Sequence, residues 1–325
     1  MKILGLIFLI YIFSFVLIKA ADQVVIALRH LTKSSSSKGV FILSALLLAL
    51  ATSFPELFVG ITSALEGAPN LSLGNVLGAN IANISLVVGA ATLLVGRVNV
   101  HGEFLRRDVW IALVAGILPI VLVFDGELSR VDGLILLSLY GAYASSFFKD
   151  RFLEIGQEIK EGTFIHKFFR RVNNIDGNKT KEAARLFLGI AVLLVSANLI
   201  VNTAQSLAAA ANIPVFLIGL ILLSIGTTLP ELGFSIKSLQ DKEPTMFFGN
   251  LLGSIIANST LVIGITAVIS PIRVAAIEEY LIAAVTFVVV FLVFWLFIRS
   301  KLKLERWEAG VLLAIYIVFV VVEFL

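Results

Sequence analysis

The sequence predicts an all-α polytopic membrane protein: ten transmembrane helices in two five-helix repeats of inverted topology. Three observations predict it. They are an apolar composition, a one-sided distribution of basic residues, and a pair of motifs that return at one fixed offset. Of the 325 residues, 59% are hydrophobic and only 14% charged, and the mean hydropathy is +1.02. A soluble domain has about 45–50% apolar and about 25% charged residues. The chain has no cysteine, which excludes disulfides and thiolate metal sites. Its histidines, His30, His101 and His166, all lie near basic segments and read as loop or helix-end residues rather than metal ligands.

A spanning helix needs about 20 mostly apolar residues. Ten segments qualify: roughly 3–31, 39–66, 70–95, 107–125, 130–148, 182–212, 215–239, 245–270, 276–299 and 305–325. The first and sixth are long enough to tilt. The first has the charge and apolar core of a signal peptide. Lys19 before the small pair Ala20–Ala21 makes a poor cleavage site, however, and the segment has a counterpart later in the chain. Short joints such as "EGAPN" and "DKEP" carry the Gly and Pro of tight connections.

Every Lys and Arg except Lys2, Lys19, Arg130 and Arg273 lies in or beside the connections after spans one, three, five, seven and nine. By the positive-inside rule that side is cytoplasmic and both termini are extracellular. The same distribution assigns the net charge of +3 to membrane topology and not to a nucleic-acid partner. The lipid bilayer is the expected partner and a monomer the expected functional unit. The longest polar connection gives the organisation: a first repeat over 1–148, a cytoplasmic linker over 149–181 and a second repeat over 182–325. Within the linker, "FIHKFFRRV" reads as an interfacial helix on anionic lipid. "NKT" at Asn178 falls on the cytoplasmic side, where a glycosylation sequon has no meaning.

The repeat decides the architecture. "TSFPEL" at 52–57 returns as "TTLPEL" at 227–232, and "GNVLGANIANISLVVG" at 74–89 returns as "GNLLGSIIANSTLVIG" at 249–264, both at an offset of 175. Pro69 and Pro244 keep the same offset. Five spans separate the copies, and an odd number inverts the second. Transporters commonly use inverted repeats, with the site at the midplane between them.

In the hairpin of spans two and three, Glu56 and Asn83 each lie about 18–22 Å from the turn near Ala68. Both therefore sit near mid-bilayer, and Glu231 and Asn258 do the same in the second copy. A lone carboxylate there costs about 2.5–3.5 kcal/mol or more. No Lys, Arg or His lies at similar depth in spans two, three, seven or eight, and Lys19 and Asp22 are spaced to pair with each other. A cation, or a proton on one Glu, is the remaining answer. Pro55 and Pro230 free backbone carbonyls around Ala49 to Thr52 and Ser224 to Thr227, and irregular backbone is tolerated where it lines a polar cavity. With the hydroxyls of Thr52, Ser53, Thr227, Thr228 and Ser254, the set is all oxygen, as hard cations require. Gly74, Gly78, Gly249 and Gly253 read as close-packing residues, and Ser44, Ser63 and Ser85 as serines bonded to their own helix.

The paired "TSFPE"/"TTLPE" and "GNVLGA"/"GNLLGS" motifs resemble those of the cation/calcium antiporters, especially the prokaryotic sodium/calcium exchangers, over essentially the whole chain. The resemblance implies a prokaryotic cell-membrane protein in which spans one and six slide across a fixed core. It implies one Ca²⁺ site and flanking Na⁺ sites, typically three Na⁺ exchanged for one Ca²⁺, with no cofactor. Glu56 and Glu231 are then the bridging carboxylates, joined on Ca²⁺ by carbonyls of Thr52 and Thr227. Ser53 and Thr228, with carbonyls of Ala49 and Ser224, belong to the Na⁺ sites. Asn83 and Asn258 line the centre, and Ser254 reaches one flank. The chain departs from the pattern at Ala51, at Ala79 opposite Ser254, at Thr228, and at Asn258 where some relatives have Asp. These changes bear on the coupling ion and its stoichiometry. A calcium/proton antiporter is the first alternative and a passive cation channel a more distant one. An intramembrane hydrolase needs more room than the Pro-Glu hairpins leave, so no enzyme is expected.

Overall fold

The computed structural model describes residues 2–33, 51–100, 103–158 and 179–323. Among them are ten helices: α1 (Lys2–Lys33), α2 (Phe54–Leu65), α3 (Pro69–Val95), α4 (Glu103–Leu122), α5 (Arg130–Glu158), α6 (Lys179–Ala211), α7 (Val215–Gln240), α8 (Pro244–Ile269), α9 (Ile277–Lys301) and α10 (Arg306–Glu323). They follow the ten expected spans in order. The beginning of span two, including Ala49 and Ser44, lies outside the described residues, as do most of the linker and its "FIHKFFRRV" and "NKT" stretches.

The connections are tied in pairs. β1 (Arg97–Asn99), between α3 and α4, pairs antiparallel with β4 (Lys303–Glu305), between α9 and α10. β2 (Glu127–Leu128), between α4 and α5, pairs with β3 (Ile272–Arg273), between α8 and α9. Counting helices as crossings, each ribbon joins two connections on one side of the membrane, and the two ribbons lie on opposite sides. These ribbons have no mark in the sequence, because two or three residues are too few for an alternating pattern. The second ribbon is reinforced by Arg273 Nε donating to Glu127 at 2.9 Å and by Asn70 Nδ2 donating to the Arg273 carbonyl at 2.9 Å.

Two apolar clusters organise the helices. One joins α3, α4, α8, α9 and α10 with parts of α5 and α7, around Phe247, Phe248, Phe287, Phe291 and Phe294. The other joins α1 and α6 to α2 and α7, through Ile10, Leu17, Val24, Leu193, Ile200 and Val201. α1 and α6 pack on each other along their length, with small residues (Ala20, Ala21, Ala197, Ala204) at the seam. Burial separates centre from periphery. In its most apolar stretch α3 is 83% buried, against 22% for α1. Phe8, Phe15, Val114, Phe187, Val285 and Ile317 face outward, as side chains against lipid do. Lys19 and Asp22 form the expected pair at 3.6 Å on the exposed face of α1.

At the centre α3 crosses α7 with backbones nearly touching. A Cβ at Gly74 would meet the Phe216 carbonyl, one at Gly78 the Leu220 carbonyl, and one at Gly219 the Leu71 carbonyl. The close-packing reading thus holds for Gly74 and Gly78. Nothing described lies within 4 Å of a Cβ at Gly249 or Gly253. Their partners by the repeat offset are Phe41 and Ala45, outside the described residues. Ser63 donates to the Gly60 carbonyl at 3.0 Å and Ser85 to the Ile81 carbonyl at 2.5 Å, as serines bonded to their own helix.

Candidate functional site

Helices α2, α3, α7 and α8 bring the site residues together through three kinds of irregularity. The first is the start of α2. A 3₁₀ turn at Ala51–Ser53 leads into it, with Ser53 at the N-cap and Pro55 in the first turn. Proline is tolerated there because that N–H has no helical acceptor. The second is Pro230, which instead lies inside a continuous helical stretch, Ser224–Gln240. The same Pro-Glu motif thus opens a helix in one repeat and interrupts one in the other. The third is a set of π turns, at Asn83–Val87 in α3, Ile218–Leu223 in α7 and Ala257–Val262 in α8. The first and last follow the repeat offset and carry Asn83 and Asn258. Periodicity did not reveal them, since one extra residue per turn leaves no mark in helices that are apolar on every face. Such turns are rare and frequently sit at functional sites.

Glu56 and Glu231 are each 1% exposed. None of their four carboxylate oxygens has a partner of good hydrogen-bond geometry among the described residues, the Thr227 hydroxyl lies near Glu56, and the two carboxylates lie within electrostatic reach of one another. Buried carboxylates without a donor or a basic partner are costly, and a like charge nearby adds to the cost. What would offset it is a cation between them or a proton.

Oxygen-bearing side chains near the same motifs bond to one another and to backbone. Thr52 Oγ1 donates to Asn250 Oδ1 at 3.2 Å and lies 3.2 Å from Ser254 Oγ. Thr227 Oγ1 donates to Asn75 Oδ1 at 3.3 Å and reaches the Ser224 carbonyl at 3.4 Å. Thr228 Oγ1 also donates to that carbonyl. The Ser224 carbonyl is therefore taken by the Thr228 hydroxyl, with that of Thr227 within reach, and not left open by Pro230, while the Ser224 hydroxyl turns back to the Leu220 carbonyl at 2.5 Å. Ser53 Oγ is buried with no partner among the described residues.

The two central carboxamides differ. Asn83 is buried with neither polar atom partnered, whereas Asn258 Nδ2 donates to Asn80 Oδ1 at 3.4 Å and only its Oδ1 is unpartnered. Asn80 in turn donates to Ser259 Oγ at 2.7 Å. Three site residues went unassigned in the sequence: Asn75, Asn250 and Asn80. The first two stand in the "GN" of both motifs at the repeat offset, and that recurrence was the signal. Asn80 faces Ile255 in the other copy and left none. Ser14 of α1, buried and unpartnered, approaches Gly226 of α7, 3.2 Å from where a Cβ would stand. The two-helix pair thus touches the site one turn before Pro230.

Chemically this is an enclosed set of carboxylate, carboxamide, hydroxyl and carbonyl oxygens. Among the described residues its titratable groups are the two glutamates. It suits a hard cation that sheds its water. No group of three or more His, Cys, Asp or Glu is found among the described residues.

Comparison with known proteins agrees with this chemistry. The family model for sodium/calcium exchanger proteins matches residues 5–149 and 181–325. The sodium/calcium exchanger MaX1 of Methanosarcina acetivorans is 28% identical, across 99% of this chain and 97% of that one. The inner membrane protein YrbG of Escherichia coli is 30% identical, across 83% and 79%. Among solved structures, the sodium-calcium exchanger NCX_Mj soaked with 100 mM Na⁺ and 10 mM Sr²⁺ superposes with a TM-score of 0.59 at 25% identity, covering 98% of both chains. The same protein in 2.5 mM Na⁺ and 0.1 mM Ca²⁺ gives 0.59 as well.

Proposed function

The chain belongs to the sodium/calcium exchanger protein family, and we propose that it is a secondary antiporter moving Na⁺ and Ca²⁺ in opposite directions across a prokaryotic cell membrane. One observation carries the reading: the four carboxylate oxygens of Glu56 and Glu231 are buried and without a hydrogen-bond partner among the described residues. Two carboxylates balance one Ca²⁺. The neutral donors, Ser53, Thr52, Thr227, Thr228, Ser254, Asn83 and Asn258, suit Na⁺ on either side. The carbonyls of Thr52, Thr227, Ser224 and Ala49 complete the ligand set in this proposal, Ser224 once its hydroxyl donors turn aside.

In this reading the two repeats, 1–148 and 182–325, exchange roles. α1 and α6 move as a pair over the cluster that holds α3, α8, α9 and α10. One feature supports the division: α1 and α6 pack on each other along their length. Both termini are extracellular, the 149–181 linker is cytoplasmic, and one chain holds a complete site and acts as a monomer.

The test is Ca²⁺ uptake into proteoliposomes loaded with Na⁺. An outward Na⁺ gradient should drive ⁴⁵Ca²⁺ accumulation that collapses when Na⁺ is equal on both sides. Uptake driven by a proton gradient and indifferent to Na⁺ would replace Na⁺ as the coupling ion. Unitary currents without counter-transport would replace the antiporter with a channel.

A further inference from the structure

The first threonine of each Pro-Glu motif is hydrogen-bonded to an asparagine of the opposite repeat. Thr52 gives its proton to Asn250 and Thr227 gives its proton to Asn75, at 3.2 and 3.3 Å. Both asparagines directly follow the first glycine of their motif and are related by the repeat offset. Their Nδ2 atoms are buried and unpartnered among the described residues, so the acceptor oxygen is what each contributes.

A hydroxyl has one proton and two lone pairs. A cation needs the lone pairs and is repelled by the proton. Thr227 has a competing acceptor, the Ser224 carbonyl at 3.4 Å, which already takes the proton of Thr228. Bonded there, the Thr227 hydroxyl would follow Thr228 in turning back along its own helix and would occupy a second lone pair of a carbonyl offered to the ion. Bonded to Asn75, it leaves that carbonyl freer and keeps its own oxygen lone pairs on the side away from Asn75. On the other flank Thr52 donates to Asn250, and the nearby Ser254 hydroxyl then serves as donor to Thr52.

We propose that Asn75 and Asn250 are positioning residues of the transport site: across the repeat boundary, each holds the hydroxyl proton of one threonine away from the ion path. Because the bonds cross between repeats, they also fix the register of one Pro-Glu segment against the other. The inference rests on the exchange reading above, and the experiment separates the two. Wild-type protein that shows no Na⁺-driven Ca²⁺ uptake removes the reading; wild-type exchange with unaltered variants removes only the role of the asparagines.

Na⁺-dependent Ca²⁺ uptake is measured for Asn75→Ala, Thr227→Val and the double variant, and likewise for Asn250→Ala and Thr52→Val. Each single change should raise half-saturating Na⁺ about five-fold, the size of one hydrogen bond, with the maximal rate changed less than about two-fold. Each double variant should be no worse than its poorer single, since both changes remove one interaction. Asn75→Asp, which keeps the acceptor oxygen and the volume, should bind Na⁺ at least as well as Asn75→Ala, and replaces it in the cycle if the alanine protein does not fold. Half-saturation within two-fold of wild type in all single variants, or fully additive effects, overturns the proposal.

Discussion

On one side of the glutamate pair the Thr52 flank carries three polar side chains, with Thr52 bonded to both Asn250 and Ser254. On the other, the Thr227 flank has Thr227 and Asn75, and the place of Ser254 is taken by Ala79, fully buried. The motif, the crosswise bond and the π turn behind it recur in both. The repeat builds the frame twice, while the ions it accepts on each side are set by the few positions where the copies diverge. A symmetric frame lets the two halves trade conformations. Unequal flanks mean that the states reached by the trade need not hold the same ions equally well.

The sharpest test of the frame is at the glutamates, where the copies are alike. Glu56→Gln and Glu231→Gln each remove one of the two charges and keep the volume. Both should abolish Na⁺-driven Ca²⁺ uptake, by about 100-fold or more; losing a buried charge that faces a cation costs about 3–5 kcal/mol. Both proteins should still elute as folded monomers, since an unpaired buried carboxylate stabilises nothing. If one variant loses exchange and the other keeps it, the carboxylates are not shared equally and the symmetric frame fails at its centre.

Much of this frame was legible in the sequence because it rests on residues that violate membrane rules. A glutamate, a proline and paired hydroxyls in an apolar run need a reason, and their return at one offset supplied it. The ten spans were legible from hydropathy and the one-sided lysines and arginines. Geometry without a compositional mark was hidden. The π turns at Asn83 and Asn258 and the short ribbons joining the connections belong to this class. So does the fate of the Ser224 carbonyl, which depends on where two threonine protons point. The unlike placement of Pro55 and Pro230 was hidden for another reason. The same motif can begin a helix or sit within one, and only the preceding residues decide.

A second contrast concerns packing. Gly78 lies against the Leu220 carbonyl and 2.7 Å from Ser224 Oγ on the built position of a Cβ. The carbonyl belongs to backbone and cannot give way. Gly78→Ala should destabilise the protein by about 1–3 kcal/mol, seen as a lower thermal midpoint in detergent. Gly253→Ala is the counterpart test, because the position across from it by the repeat offset, Ala45, lies outside the described residues. Equal losses at both positions would mean that the second crossing is as tight as the first, which would make the halves alike in packing as well as in motif.

The smallest effects should come from the position that makes the flanks unequal. Ser254→Ala removes the hydroxyl that meets Thr52 and leaves Thr52 its bond to Asn250. Half-saturating Na⁺ should rise about three- to five-fold, a loss of roughly one hydrogen bond. Ala79→Ser adds a hydroxyl to a buried position beside the Thr227 flank. If the missing hydroxyl is what weakens that flank, Na⁺ should bind about two- to three-fold more tightly, a gain below one full hydrogen bond because the serine loses rotamer freedom. The double variant Ala79→Ser, Ser254→Ala moves the hydroxyl from one flank to the other. Its Na⁺ affinity summed over both sites should return near that of wild type, while the side of the membrane from which Na⁺ competes best with Ca²⁺ should reverse. A double variant that loses affinity from both sides would show that Ser254 acts through Thr52 alone, and that the two flanks differ in more than one hydroxyl.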